Sequence, residues 1–274
     1  MISTPIRRYG AAILMLLTTA FSGEVLAKTH TDTTSKKAHV IKTTSSKVSS
    51  KQEYSRNSAK SSSLPDLRKY PSGTPRKKAF LRTVMPYITS QNAAITAERN
   101  WLISKQYQGQ WSPAERARLK DIAKRYKVKW SGNTRKIPWN TLLERVDIIP
   151  TSMVATMAAA ESGWGTSKLA RNNNNLFGMK CMKGRCTNAP GKVKGYSQFS
   201  SVKESVSAYV TNLNTHPAYS SFRKSRAQLR KADQEVTATA MIHKLKGYST
   251  KGKSYNNYLF AMYQDNQRLI AAHM

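Results

Sequence analysis

The sequence predicts a mainly α domain with one small β-hairpin, preceded by a disordered basic tail. Three observations lead there. Residues 28–75 are dominated by Ser, Thr and Lys with almost no large apolar side chain, whereas aromatic and aliphatic residues recur regularly from Phe80 onward. The later part spaces its apolar residues at helical intervals and carries several N-cap signatures. Its two cysteines, Cys181 and Cys186, bracket Gly184, and in an oxidising compartment that spacing suits a disulfide across a tight hairpin.

Taken in order, the chain opens with Arg7 and Arg8 ahead of an apolar run, Ala11 to Phe21. Val25-Leu26-Ala27 then supplies small residues where a signal peptidase reads. The run is about half the ~20 residues that a bilayer span requires, so residues 1–27 are expected to be a secretory signal. The protein is then exported, to the periplasm or cell envelope. Residues 28–75 cannot bury enough apolar surface to offset their ordering entropy and are expected to form a disordered linker. Residues 76–274 are long enough for one domain with a substantial core.

Within that domain, Lys77 to Tyr107 reads as helix, kinked or split at Pro86. Ser112-Pro113-Ala114-Glu115 is a capping box with proline at the first helical position, opening a helix to about Tyr126. Trp139 to Val146 is amphipathic. Pro150 to Glu161 is a short buried helix ended by Gly163 and Gly165, and Thr166 to Arg171 reads as a turn. Leu176 to Met179 and Tyr196 to Phe199 are the two hairpin strands. Ser201 and Glu204 form a second capping box for a helix to about Asn214. A helix from about Asp233 to Lys244 and another from Ser254 to Ile270 complete the chain.

The net charge is +32, and Phe80 to Met274 alone holds thirty-one basic against ten acidic side chains. A field of that size points to a polyanionic partner. Export favours an anionic cell-wall or membrane surface, and nucleic acid is not expected. No metal or organic cofactor is implied, because the two thiols have no nearby histidine and the five histidines are scattered.

Among so few acids, Glu161 stands out. It lies three, four and seven residues after Ala158, Met157 and Val154, and so continues the apolar stripe of its helix. Partial burial and the negative end of the helix dipole both favour the protonated carboxyl, which is what a general acid requires. Spacing alone leaves open a second reading, a buried Glu paired with one of the many Arg or Lys side chains. The surroundings favour the first: Gly163 and Gly165 flank Trp164, and Asn172 to Asn175 supply neutral donors and acceptors suited to sugar hydroxyls and amides.

Glu161-Ser-Gly-Trp-Gly-Thr-Ser-Lys-Leu-Ala170, followed by Asn174-Asn175-Leu176-Phe177-Gly178-Met179-Lys180, resembles the signature of the bacterial N-acetylglucosaminidases of glycoside hydrolase family 73. Thr215 to Tyr219 and Gly247-Tyr248-Ser-Thr, with Tyr255 after it, resemble two further, weaker motifs of that family. The resemblance covers about Asn140 to Asn266. It implies a lysozyme-like helical domain with a small hairpin, acting on peptidoglycan glycan strands at the β-1,4 bond after N-acetylglucosamine. Glu161 falls on the family's general acid and Tyr248 on its active-site tyrosine, while Trp164, Asn175 and Phe177 are expected to line the cleft. For these last four, ordinary packing or turn formation is the competing expectation.

The chain departs from the family in one respect. Some members are assigned a second acid in the hairpin, yet Met179 to Gly195 contains no Asp or Glu. Glu204 is explained by its cap, and Glu144 and Asp147 by pairing with Arg145 and its neighbours. A single-acid route is therefore expected. A muramidase, a lytic transglycosylase and a non-catalytic wall-binding protein remain as alternatives, and a wall amidase is disfavoured because no zinc-ligand cluster is present.

Overall fold

The structure is a computed structural model that describes residues 63–181, 186, 189–246, 248–249 and 252–274. The expected signal segment and residues 28–62 of the expected linker lie outside these residues. So do Gly184, the expected hairpin turn, and Gly247.

Residues 63–75 are not linker. Leu64 and Leu67 are buried, Leu67–Lys69 forms a 3-10 turn capped by the Asp66 side chain, and the first helix already begins at Thr74. Two leucines in a short Leu-Pro-Asp-Leu segment bury enough apolar surface to fix it, although they are too few to show a period.

Among the described residues the fold is built almost entirely of helices: α1 (Thr74–Lys105), α2 (Pro113–Arg125), α3 (Trp139–Arg145), α4 (Thr151–Ser162), α5 (Lys168–Asn173), α6 (Val202–Thr215), α7 (Ser220–Lys231), α8 (Ala238–Ile242) and α9 (Lys253–Ala271). The mainly α class expected from the sequence holds. α4 is the central helix. Met153 through Ala159 are all buried, because α4 packs against α1, α8 and α9. α1 also packs on α6, and α3 on α7.

Pro86 does not split α1. It lies inside one continuous helix on an exposed face, so the Arg82 carbonyl that loses its N–H partner can turn to water. α2 has the expected capping box: Glu115 N–H donates to Ser112 Oγ at 3.2 Å, and Ser112 N–H donates to the Glu115 carboxylate at 2.8 Å. At α6 the box is only half formed. Ser201 Oγ accepts from Glu204 N–H at 3.1 Å, but the Glu204 carboxylate accepts from Ser200 instead.

Three expectations need correction. The strand expected at Leu176 to Met179 is turn and irregular backbone, and among the described residues the hairpin shows one antiparallel bridge, Lys180 with Tyr196. The turn expected at Thr166 to Arg171 includes the start of α5, capped by Ser167. α7 falls where no helix was expected, because its buried face is Phe222, Arg223 and Arg226 rather than an apolar stripe.

Those arginines explain Asp147. Its carboxylate is 1% exposed and accepts from Arg230 at 3.0 and 3.2 Å. Arg99 and Arg226 stand 3.6 and 3.7 Å from it. Arg226, fully buried, also donates to the carbonyls of Glu144, Asp147 and Ile148 and to Asn214 Oδ1. Burial pulls its guanidinium down to about 10. The expected partner Arg145 instead donates to the carbonyls of Tyr126 and Lys127. The network fixes the α3–α4 junction, and with it the start of the helix that carries Glu161.

Candidate active site

α4 delivers Glu161 at its last turn, one residue before the helix ends. Gly163, Trp164 and Gly165 then take three successive left-handed conformations, with φ of 58°, 55° and 77°. For Trp164 that conformation costs about 1–2 kcal/mol and needs support from its surroundings. Ser162 supplies some: its hydroxyl donates to Ala158 O at 2.6 Å and accepts from Gly165 N–H at 2.8 Å. Gly165 suits the position twice over, since its φ is 77° and a Cβ there would lie 2.6 Å from Leu67 Cδ1 and 3.1 Å from Phe80 Cδ2. The buried leucines of residues 63–75 thus press directly against the turn that follows Glu161.

The Trp164 indole meets Phe80 edge-on at 5.6 Å, and the Lys77 ammonium lies 5.1 Å from its ring centre. Those contacts place it on the α1 side of the turn.

The asparagine run turns its amides mainly to backbone. Asn172 donates to Gly191 O, Asn173 exchanges hydrogen bonds with Val193, and Asn174 joins Phe199 O to Leu64 N–H. Asn175, 1% exposed, donates to Met179 O at 2.8 Å and Ser197 O at 3.0 Å and accepts from Met179 N–H at 3.0 Å. The expected donors for sugar hydroxyls are committed to backbone. What they build is the turn that carries Phe177 and Gly178.

That turn brings Gly178, at φ 63°, over the acid: a Cβ there would sit 3.4 Å from Glu161 Oε2. Glu161 Oε1 accepts a very short hydrogen bond from the Tyr255 hydroxyl. Burial pushes the Glu161 carboxyl above the ordinary glutamate value, and the Tyr255 bond, which favours the charged form, only partly opposes it. Among the described residues, neither a second carboxylate nor a cation contributes to that shift.

Beside Glu161 runs a row of rings. Phe177, 4% exposed, stacks on Tyr209 at 3.9 Å with planes 1° apart. Tyr209 meets Tyr248 at 6.4 Å, Tyr248 stacks on Tyr255 at 5.5 Å, and Tyr255 meets Tyr258 at 6.2 Å. Tyr219 joins at 6.1 Å from Tyr248. Burial, then the Glu161 charge, push the Tyr248 phenol well up. Burial, Tyr248 and the bond to Glu161 do the same for Tyr255. Both phenols are neutral donors at ordinary pH.

Glu161, Tyr248 and Phe177 therefore come together. Asn175 supports them from below, and Trp164 lies to the side. Cys181 and Cys186 form a disulfide with Cα atoms 5.3 Å apart, beside the bridge. Sequence reasoning did not assign site roles to Tyr255, Gly178, Tyr209 or Tyr258. The i, i+3 spacing of Tyr255 and Tyr258 at the start of α9 was a usable signal for two of them.

Residues 138–268 match the family model described as mannosyl-glycoprotein endo-beta-N-acetylglucosaminidase. The chain is 94% identical to Protein bax of Escherichia coli (strain K12) over 274 residues, covering 100% of each. No solved structure matches it.

Proposed function

Since the chain belongs to the glucosaminidase family, we propose that it is an exported peptidoglycan hydrolase that cleaves the β-1,4 bond after N-acetylglucosamine, with Glu161 as its general acid. The observation that carries this reading is a carboxyl raised by burial, tied on one oxygen by Tyr255 and flanked by a row of tyrosine rings. Because Tyr255 occupies Oε1, the proton belongs on Oε2, where Gly178 leaves the approach free of a side chain. In this reading the half-buried rings of Tyr248, Tyr255 and Tyr219 are the apolar surface that meets the C–H faces of sugars.

In this reading Glu161 gives its proton to the departing glycosidic oxygen as the C1–O bond breaks. Met179 to Gly195 holds no Asp or Glu to act as nucleophile, so the substrate's own 2-acetamido oxygen forms the new bond to C1. The neutral Tyr248 phenol orients that group. Water then adds at C1, opening the oxazolinium ring, and its proton returns to the Glu161 carboxylate. Asn175 and Phe177 position the turn over the acid, and Trp164 anchors the preceding turn against Phe80. The Cys181–Cys186 disulfide stiffens the segment after Gly178.

The test is to digest purified sacculi with the wild type and with Glu161→Gln, reduce the products with borohydride and identify them by mass spectrometry. The wild type should release fragments ending in reduced N-acetylglucosamine. The variant should be slower by ~10²–10⁴-fold, the usual worth of general acid catalysis. Reduced muramic-acid ends or anhydro ends would transfer the assignment to a muramidase or a lytic transglycosylase. Sedimentation with sacculi without digestion by either protein would make this a wall-binding protein.

A further inference from the structure

α2 carries its charges in a segregated way. Its two acids, Glu115 and Asp121, are both engaged: Glu115 bonds Lys105 of α1 at 2.5 Å, and Asp121 bonds Arg125, which also bonds Glu98 of α1 at 2.8 Å. Arg118 lies 4.3 Å over the Trp101 ring of α1. Leu119, Ile122 and Ala123 face the core. The remaining flank is purely cationic. Arg116, Lys120 and Lys124 follow one another at i, i+4 and i+8, all exposed and without an ion pair among the described residues.

Exposed Lys127, Lys129, Arg135 and Lys136 continue the basic surface beyond the helix. At a rise of ~1.5 Å per residue, the three helical cations are spaced ~6 Å apart along the axis. That is inside the ~10 Å Debye length at moderate salt, so they repel one another in the free protein and act together on a polyanion. The whole surface precedes residues 138–268, the region matched by the family model.

We propose that the outward flank of α2, with the segment that follows it, docks the protein on an anionic phospholipid bilayer. The chemistry of the stripe selects this partner. It consists of two lysine ammoniums and one arginine guanidinium on flexible stems, with Ala117 as the small residue among them, and presents no ring on which a sugar or base could stack. Trp130, the nearest indole beyond α2, is half-buried and its N–H is already given to Asn133 O at 2.9 Å. A dense row of lysines and arginines without aromatic or amide readout suits a surface of phosphate headgroups, where each such cation strengthens binding by about fivefold.

Full-length protein should be sedimented with vesicles of equal parts phosphatidylglycerol and phosphatidylcholine, and with phosphatidylcholine alone. Wild type should bind the first and not the second. The triple variant Arg116→Gln, Lys120→Gln, Lys124→Gln should bind the anionic vesicles about 100-fold more weakly, from about fivefold per cation. A charge-matched control, Lys203→Gln, Lys224→Gln, Lys231→Gln, removes three other exposed lysines and should stay within about twofold of wild type. Equal losses in both triples would reduce the effect to net charge and overturn the proposal, as would unchanged lipid binding in the α2 variant. Loss of binding to sacculi or to duplex DNA with lipid binding intact would also overturn it. Lipid binding is read independently of hydrolysis, so failure of the Glu161 assignment would leave this result standing.

Discussion

Glu161 is governed by two opposing neighbours. Burial at the end of α4 disfavours its charge, while the Tyr255 hydroxyl stabilises that charge, and burial prevails. A general acid works while protonated, so its rate falls as pH rises through its own pKa. Tyr255→Phe removes the group that lowers the pKa, and the alkaline limb of kcat/KM against pH should therefore move to higher pH. A limb that moves to lower pH, or stays in place while the variant folds normally, would show that Tyr255 does not set the protonation of Glu161. The apolar stripe of Val154, Met157 and Ala158 made the position of Glu161 legible in the sequence. Its bond to Tyr255 was hidden, because the two residues lie 94 positions apart and meet only where α9 packs on α4. The asparagines misled for a related reason. A buried amide beside backbone carbonyls bonds to them first, and Asn175 spends its capacity on Met179 and Ser197.

At the scale of elements, helices with an apolar face or a cap could be read directly from the sequence. The Ser112 and Glu115 box fixed the start of α2, and Gly163 fixed the end of α4. α7 could not be read that way, because two of the side chains it buries are arginines with remote or backbone partners: Arg226 faces Asp147, some eighty residues earlier, and Arg223 donates to the Leu213 and His216 carbonyls. Among the described residues the hairpin shows a single bridge, and asparagine side chains satisfy backbone groups around it. The Asp147 network supports a prediction about the frame of the site. Asp147→Ala leaves Arg226 buried without its counter-charge and should cost about 3–5 kcal/mol in urea denaturation. No measurable loss would mean that the carbonyls around Arg226 suffice and that the acid is dispensable.

Across the whole molecule, the domain reaches further toward the N-terminus than composition indicated. Leu64 and Leu67 belong to it, packed under Gly165, so residues outside the family match help hold the turn that follows Glu161. Among the described residues no helix is long and apolar enough to cross a membrane, and the basic flank of α2 is the surface proposed to meet one. The fold serves one proposed event, proton transfer from a carboxyl whose protonated form burial favours. The most direct test is to label the glutamate side-chain carboxyls with carbon-13, assign the Glu161 signal by its loss in Glu161→Gln, and follow its shift with pH in the intact protein. A midpoint above the ordinary glutamate value of ~4.3 is the result expected here. A midpoint at or below that value would leave Glu161 ionised at working pH and contradict its role as the acid.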